Sequence, residues 1–256
     1  MKKLFARTAA LLCAAIACSA GAQDFPTKPL RMVVPFAPGG GADFVARAIA
    51  APLAKRLGQP VVVDNKPGAG AVLGADIVAK APADGHTLLY TTPGPQMTSP
   101  YLMARLPYDP VHDLVPVSEV AIVPNVLVVN KNLPVHSIEE LIAYAKANPG
   151  KVNFASVATA KPSPLLPGVP PIAQTLKGFD AAPVNYISVP KKTPRAVIDR
   201  LNREINAVLA SPELKEQFAA NGVVPQGSTP EEMAALVRSE AAKWKKVIET
   251  SGARID

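Results

Sequence analysis

Cysteine, tryptophan and histidine are scarce in this sequence. Its 256 residues include two cysteines, one tryptophan and three histidines. Both cysteines, Cys13 and Cys18, lie near the amino terminus. If the first 22 residues are removed, the remaining chain has no thiol and can form no disulfide. The histidines at 86, 112 and 136 stand in separate segments without the spacing of metal ligands, which is typical of loop or surface histidines.

Clustered positive charge and aromatic side chains are also missing. Charged residues make up 18% of the chain and aromatic residues 5%, and no run of basic residues occurs. Nucleic-acid binding is therefore not expected. Removing the first 22 residues takes away three basic residues and no acidic one, which lowers the formal net charge from +7 to +4. That mild positive balance is compatible with binding small anions.

The amino-terminal segment has the pattern of a secretory signal. A basic end, Met1–Arg7, precedes an apolar stretch, Thr8–Cys18, and the residues Ala20–Ala22 form an A-x-A cleavage site before Gln23. We expect cleavage there and a mature protein free in the periplasm. A lipid anchor on Cys18 is the alternative, although Ala15 stands where a leucine is usual. No second apolar run follows that resembles a membrane span.

A glycine loop between a strand and a helix is the main functional signal. The apolar run Leu30–Val34 predicts a buried strand, and Ala42–Leu57 predicts a helix in which Pro52 causes a kink or a break near Ala50. Between them, Gly39–Gly41 allow close approach of backbone N–H groups to an anion at a helix start. A tight turn without a ligand explains the same glycines. Asp43 is either a helix-end acid or an acceptor for a ligand's ammonium or hydroxyl group.

The first half of the chain alternates strands and helices. Strands are predicted at Val61–Val63 and His86–Thr91, with helices at Ala71–Lys80 and around Gln96–Arg105. This βαβαβ order indicates a parallel sheet with right-handed crossovers, whose ligands bind at the carboxyl ends of the strands. Later strands are expected at 114–120, 126–129, 152–157 and 184–189. Later helices are expected after the capping residues Ser137, Thr193, Ser211 and Thr229.

Catalytic and nucleotide-binding motifs are not found. The segment Gly68–Gly74 reads G-x-G-x-x-x-G, one residue off the dinucleotide pattern, and no acidic residue ends the next strand to hold a ribose. A phosphate-binding P-loop and a G-x-S-x-G nucleophile elbow are absent. The sequence indicates a binding protein that needs no cofactor or metal. An enzyme acting on a small carboxylate or phosphoester, and a non-binding sensory or structural adaptor, remain the alternatives.

Several segments resemble the Bug (TctC-like) solute receptors of tripartite tricarboxylate transporters. The resemblance covers most of the chain after residue 22 and is carried by the segments Pro29–Asp43, Leu57–Gly70, Asp84–Leu89, Leu106–Pro110, Ala145–Lys151 and Pro194–Trp244. It implies an α/β, two-lobed, type II periplasmic-binding-protein-like fold with mostly parallel sheets. It also implies capture of a small carboxylate, a monomer, and partnership with the membrane components of a transporter.

The resemblance implies a particular ligand site. Backbone N–H groups of the glycine loop and helix start would hold one carboxylate, directly or through water. In this sequence those positions are Phe36, Gly39, Gly40, Gly41, Ala42 and Asp43. A loop of the second lobe, which follows a strand at 152–156, would complete the site.

The second lobe departs from the family pattern. The segment Phe154–Ala160 runs directly into Lys161–Pro170, which resembles a segment that family members place further downstream. About 60 residues, the size of two β–α units, are therefore expected to be missing. Of the second-lobe loop only Ser156 can be assigned to the site. We expect a signal at 1–22, a first lobe at 23–122 and 191–256, a reduced second lobe at 123–190, and either a receptor or a remnant of one.

Overall fold

The computed structural model describes residues 25–123, 127, 129–149, 172–177 and 184–255. Within them, six strands form one sheet. The strands are β1 (Leu30–Val34), β2 (Val61–Asn65), β3 (Thr87–Thr91), β4 (Leu114–Ile122), β5 (Val184–Pro190) and β6 (Val224–Pro225). Their order across the sheet is β2-β1-β3-β5-β4-β6. The bounds predicted for the first strand agree with the structure. The strand expected at 126–129 falls partly, and the one at 152–157 wholly, outside the described residues.

Eight α-helices occur in the described residues. They are α1 (Gly41–Leu57), α2 (Val72–Ala79), α3 (Ser99–Leu102), α4 (Ile138–Ala147), α5 (Ile172–Thr175), α6 (Arg195–Leu209), α7 (Pro212–Ala219) and α8 (Pro230–Ser251). A 3₁₀ turn at Ala69–Ala71 precedes α2, and a single π-helical turn at Gly94–Thr98 precedes α3. No helix among these residues is long and apolar enough to cross a membrane.

The sheet is mixed, which corrects the expectation of mostly parallel sheets. Strand β1 pairs in parallel with β2 and with β3, as the βαβαβ pattern predicted. The pairs β3–β5, β4–β5 and β4–β6 are antiparallel. The reason is the route of the chain: β5 returns from residues 123–183 at the edge where β4 ends, so it must run in the opposite direction.

Side chains pack against both faces of the sheet. On one face, Met32 of β1 and Leu88 of β3 lie in the main core with residues of α1, α6 and α7. On the other, Val33 and Leu89 pack against α2. A third cluster joins Tyr186 of β5 to α8. Neighbouring residues of a strand point to opposite faces, so these runs are apolar without alternation, as expected for a sheet covered by helices on both sides.

Local signals at helix ends were mostly, but not always, correct. The side chain of Ser211 accepts a hydrogen bond from the Leu214 N–H, and Thr229 forms a capping box with Glu232, as predicted. The predicted cap at Thr193 is wrong, because its hydroxyl donates to the carbonyl of Pro190 (2.7 Å) and α6 begins without a side-chain cap. Of the kink or break predicted near Ala50, the break is wrong, since α1 continues through Ala50 and Pro52 with Ile49 and Leu53 both buried.

Glu119 is a carboxyl group placed within the sheet. It belongs to β4, opposite Tyr186 of β5, and only 8% of the residue is exposed. Burial raises the pKa of Glu119 from 4.5 to about 7. The unfolded chain therefore ionises first as pH rises, and the folded protein loses stability between about pH 4.5 and pH 7.

Replacing Glu119 with glutamine should remove this pH-dependent loss. A difference of about 2.5 pKa units corresponds to about 3 kcal/mol, so Glu119→Gln should be more stable than the parent by up to that amount above pH 7 and similar to it at pH 4.5. Urea unfolding at several pH values checks this. Glu249→Gln, at a largely exposed position of α8, is the control. Equal pH slopes for Glu119→Gln and the parent would contradict the assignment.

Candidate functional site

Three loops meet at one edge of the sheet. They follow the parallel strands β1, β2 and β3, and we name them loop 1 (Pro35–Gly40), loop 2 (Lys66–Ala71) and loop 3 (Thr92–Thr98). A Cβ placed on Gly74 of α2 would lie 2.7 Å from the Cβ of Pro35 and 3.4 Å from the carbonyl oxygen of Lys66. A Cβ on Gly94 would lie 3.4 Å from the carbonyl oxygen of Gly70. The loops therefore touch one another at the carboxyl ends, as the sheet topology predicted.

The segment expected to form the second lobe leaves the sheet at the same edge. Ile122, the last residue of β4, pairs with Val184, the first of β5. Next to them, Thr91 at the end of β3 pairs with Tyr186. The chain between Ile122 and Val184 therefore departs and returns beside the three loops. The strand directions require this whatever structure the intervening residues adopt.

Loop 1 exposes the start of a long helix. Gly39 has a φ of +83°, whereas Gly40, the N-cap, has an ordinary φ of −84° and offers no side-chain cap. The first intrahelical hydrogen bond runs from the Phe44 N–H to the Gly40 carbonyl (2.9 Å). In the part of the chain that the structure describes, the N–H groups of Gly41, Ala42 and Asp43 have no acceptor. They lie at the positive end of a 17-residue helix.

Asp43 holds loop 1 in place through its carboxylate. Its Oδ2 accepts a hydrogen bond from the Gly39 N–H (2.9 Å), and its Oδ1 accepts one from Asn65 Nδ2 (2.9 Å). Arg47 Nε donates to both oxygens, at 2.9 Å from Oδ2 and 3.0 Å from Oδ1. The hydrogen bond from Arg47 is the main reason that the pKa of Asp43 falls from 3.8 to about 2, against the opposing effect of burial. Its oxygens are thus occupied by the protein's own donors, which favours the helix-end interpretation of Asp43.

Asn65 connects the second strand to the same loop. Its Nδ2 also donates to the carbonyl of Phe36 (3.1 Å), and its Oδ1 accepts from Arg47 Nη2 (3.0 Å). Loop 1 is therefore braced from its own helix and from the neighbouring strand. Sequence reasoning missed both Arg47 and Asn65. The four-residue spacing from Asp43 to Arg47 was an available signal, whereas nothing local connects Asn65 to loop 1.

The predicted site residues are placed together with one exception. Phe36, Gly39, Gly40, Gly41, Ala42 and Asp43 all lie in loop 1 or in the first turn of α1. Ser156 lies outside the described residues. The assignment of these residues to a ligand site remains a prediction.

Loop 2 has an unusual backbone. Four consecutive residues have positive φ, at +143° (Gly68), +47° (Ala69), +61° (Gly70) and +76° (Ala71). Alanine at positive φ is strained, and such strain is concentrated at functional sites. The structure explains why glycine occupies the three positions of the G-x-G-x-x-x-G pattern. Gly68 and Gly70 permit the left-handed turn, and Gly74 permits close contact with Pro35.

Other features of the described residues offer no competing site. An open cavity of about 740 Å³ is lined mainly by residues of α1, α6 and α7, and one of about 450 Å³ mainly by the end of α6 and the segment from Pro225 to Glu232. No residue of the three loops lines either one. Among the described residues, no group of three or more histidine, cysteine and acidic side chains is placed to hold a metal ion.

Comparison with known proteins decides the family. The model of the tripartite tricarboxylate transporter family receptor matches residues 45–165 and 157–253. This chain belongs to that receptor family. BugT from Bordetella pertussis is 34% identical, over 94% of this chain and 95% of its own length. Members are periplasmic solute-binding receptors rather than enzymes, so this chain is a solute-binding receptor by family.

Solved structures of receptors from this family share the fold. A protein from R. palustris with adipate has a TM-score of 0.81 and 30% identity, covering 90% of this chain and 100% of that one. The periplasmic binding protein BugD has a TM-score of 0.78 and 26% identity, with coverages of 90% and 99%. MatC from Rhodopseudomonas palustris with bound malate has a TM-score of 0.76 and 26% identity, with coverages of 88% and 100%. The expected α/β fold of the periplasmic-binding-protein type is confirmed.

Two features of the comparisons bear on the predicted missing segment. The family model matches in two pieces that overlap at residues 157–165, next to the place where the sequence predicts a missing segment. The BugT alignment spans 309 positions and 94% of this 256-residue chain, so about 68 positions of the alignment fall opposite gaps in this chain. The predicted loss of about two β–α units agrees with that length.

Proposed function

We propose that this protein is a periplasmic receptor that binds a small carboxylate at loop 1 and presents it to the membrane components of a tripartite transporter. The observation that carries the proposal is the set of unpartnered N–H groups at Gly41, Ala42 and Asp43. A carboxylate accepts such hydrogen bonds, and the positive end of α1 favours its charge. Relatives solved with adipate and malate support a carboxylate as the ligand class.

The location, oligomeric state and domain boundaries in the proposal follow from the family and from the amino-terminal signal. The leader would be cleaved before Gln23, leaving a monomer free in the periplasm. The protein would catalyse no reaction and need no cofactor. The first lobe would comprise residues 23–122 and 191–256 together with β5, which lies inside its sheet, and the reduced second lobe, with Ser156, would comprise the rest of residues 123–190. Because a receptor gains affinity by closing both lobes on its ligand, the gap near residue 157 should leave binding weak, in the millimolar range.

Binding at loop 1 is tested by following backbone amides of the protein by NMR during titration with adipate or malate. We expect saturable shifts at Gly41–Asp43 with the dicarboxylates and none with adipamide, the uncharged analogue of adipate. Gly39→Ala should weaken binding by about five- to thirtyfold, because alanine at a φ of +83° strains the loop by about 1–2 kcal/mol. Gly58→Ala is the matched control, since Gly58 at the other end of α1 has a similar φ of +72° and also no atom within 4 Å of the added Cβ.

The same titration can refute the proposal. Adipamide shifting these amides as much as adipate would show that charge is not recognised. Shifts confined to residues outside loop 1 would place the site elsewhere. Equal effects of the two alanine substitutions would show that the conformation of Gly39 does not matter for binding.

A further inference from the structure

An ionised carboxylate belongs to the loop that is proposed to bind a carboxylate. Asp43 is 4% exposed, and its own N–H is one of the three free donors at the start of α1. With a pKa of about 2, Asp43 stays charged at any pH near neutrality. An unpaired negative charge in that turn would repel an incoming anion. At a separation of about 5 Å and an effective dielectric constant of about 20, the repulsion would weaken binding by roughly a few hundredfold.

Arg47 is the positive charge that pairs with Asp43. Its Nε lies 2.9 and 3.0 Å from the two carboxylate oxygens, so the pair has no net charge. Its Nη2 donates to Asn65 Oδ1, which fixes the guanidinium against the end of β2. The Arg47 side chain remains 53% exposed on the outer side of α1, so it is paired without being enclosed.

We propose that Arg47 is a positioning residue that cancels the charge of Asp43, so that the start of α1 can accept an anionic ligand. In this arrangement, holding the loop and neutralising the charge are done by different side chains. The Asp43 carboxylate orients the Gly39 N–H and braces loop 1, and Arg47 removes the electrostatic cost of having that carboxylate beside the site. The inference deepens the proposed function and rests on it.

Two roles of Arg47 predict different results when Asp43 is also changed. If Arg47 only braces the loop, neutralising Asp43 as well removes more of the bracing and cannot help. If Arg47 cancels charge, neutralising Asp43 removes the repulsion and restores binding. Asparagine at residue 43 keeps one oxygen that can accept from the Gly39 N–H, but its NH2 group cannot accept from Asn65 Nδ2. Asp43→Asn therefore removes the charge and part of the bracing at nearly constant shape, so recovered binding cannot come from restored bracing.

Adipate titrations followed by NMR compare the parent with Arg47→Gln, Arg47→Lys and the double variant Asp43→Asn/Arg47→Gln. We expect Arg47→Gln to weaken adipate binding at least tenfold and the double variant to recover most of that loss. Arg47→Lys keeps the charge and should bind more tightly than Arg47→Gln. Urea unfolding of each variant separates binding from stability, since bracing is lost in both glutamine variants.

The outcomes distinguish the inference from the proposed function. If the parent binds adipate, but Arg47→Gln and the double variant bind it equally weakly, Arg47 only braces the loop and the inference is overturned. The inference is also overturned if Arg47→Gln binds like the parent. If the parent shows no saturable shift with adipate or malate, the proposed function fails, and the inference fails with it.

Discussion

Inserting the missing segment is expected to increase carboxylate affinity by roughly two to four decades. The insert would be the second-lobe segment of a complete relative such as BugT, about 60 residues or two β–α units, placed between Ser156 and Thr159. A second-lobe loop that supplies two or three hydrogen bonds to a charged ligand contributes about 1.5–3 kcal/mol for each. Their sum, about 3–6 kcal/mol, corresponds to that gain in affinity. Calorimetric titration with a panel of dicarboxylates, including adipate and malate, measures it.

The parent chain and a neutral insert provide the controls. A glycine–serine segment of equal length should leave affinity unchanged, because it adds chain without adding donors. With 1 mM dicarboxylate, the parent should be stabilised by only about 0.4 kcal/mol, the value for a ligand at its dissociation constant. A micromolar isotherm from the parent would show that the shortened lobe already closes, and that the gap costs the receptor little.

Gly85→Ala is expected to cause the largest loss of stability among single substitutions considered for this chain. Gly85 precedes β3 and has a φ of +81°. An added Cβ would overlap Val197 Cγ1 of α6 and lie 2.9 Å from Phe25 Cε2. A left-handed alanine costs about 1–2 kcal/mol, and overpacking adds about 1–3 kcal/mol. The free energy of unfolding, measured in urea, should therefore fall by about 2–5 kcal/mol.

Gly222→Ala is the matched control for backbone strain. Gly222 has a similar φ of +71°, but no atom lies within 4 Å of its added Cβ. This variant should lose only the conformational term, about 1–2 kcal/mol. The difference between the two variants isolates the packing of α6 and Phe25 against the turn. Equal losses would show that Val197 and Phe25 move aside without cost.

Signals that depend on neighbouring residues were predicted well. The apolar run of β1, the glycines of loop 1 and the capping box of Thr229 with Glu232 are each determined within a few residues. The βαβαβ order likewise predicted the parallel half of the sheet and the edge where its loops meet. Short-range periodicity and turn chemistry suffice for these features.

Features that depend on distant contacts were not predicted. Thr193 was expected to cap α6 but donates to Pro190 instead, because the turn after β5 brings that carbonyl within reach. Pro52 was expected to kink or break α1 near Ala50, but the helix is not broken, because Ile49 and Leu53 on both sides of Ala50 are buried in the main core. In both cases tertiary packing outweighed a local preference.

The sequence by itself determined that loop 1 offers N–H donors at a helix start, because a strand, three glycines and an amphipathic helix follow one another directly. Only the tertiary structure decided how that loop is held and charged. Asn65 lies 22 residues from Asp43 along the chain, and pairing of β1 with β2 brings its amide to the carboxylate. The antiparallel half of the sheet has the same origin. Such contacts depend on which strands become neighbours, and no local pattern encodes that choice.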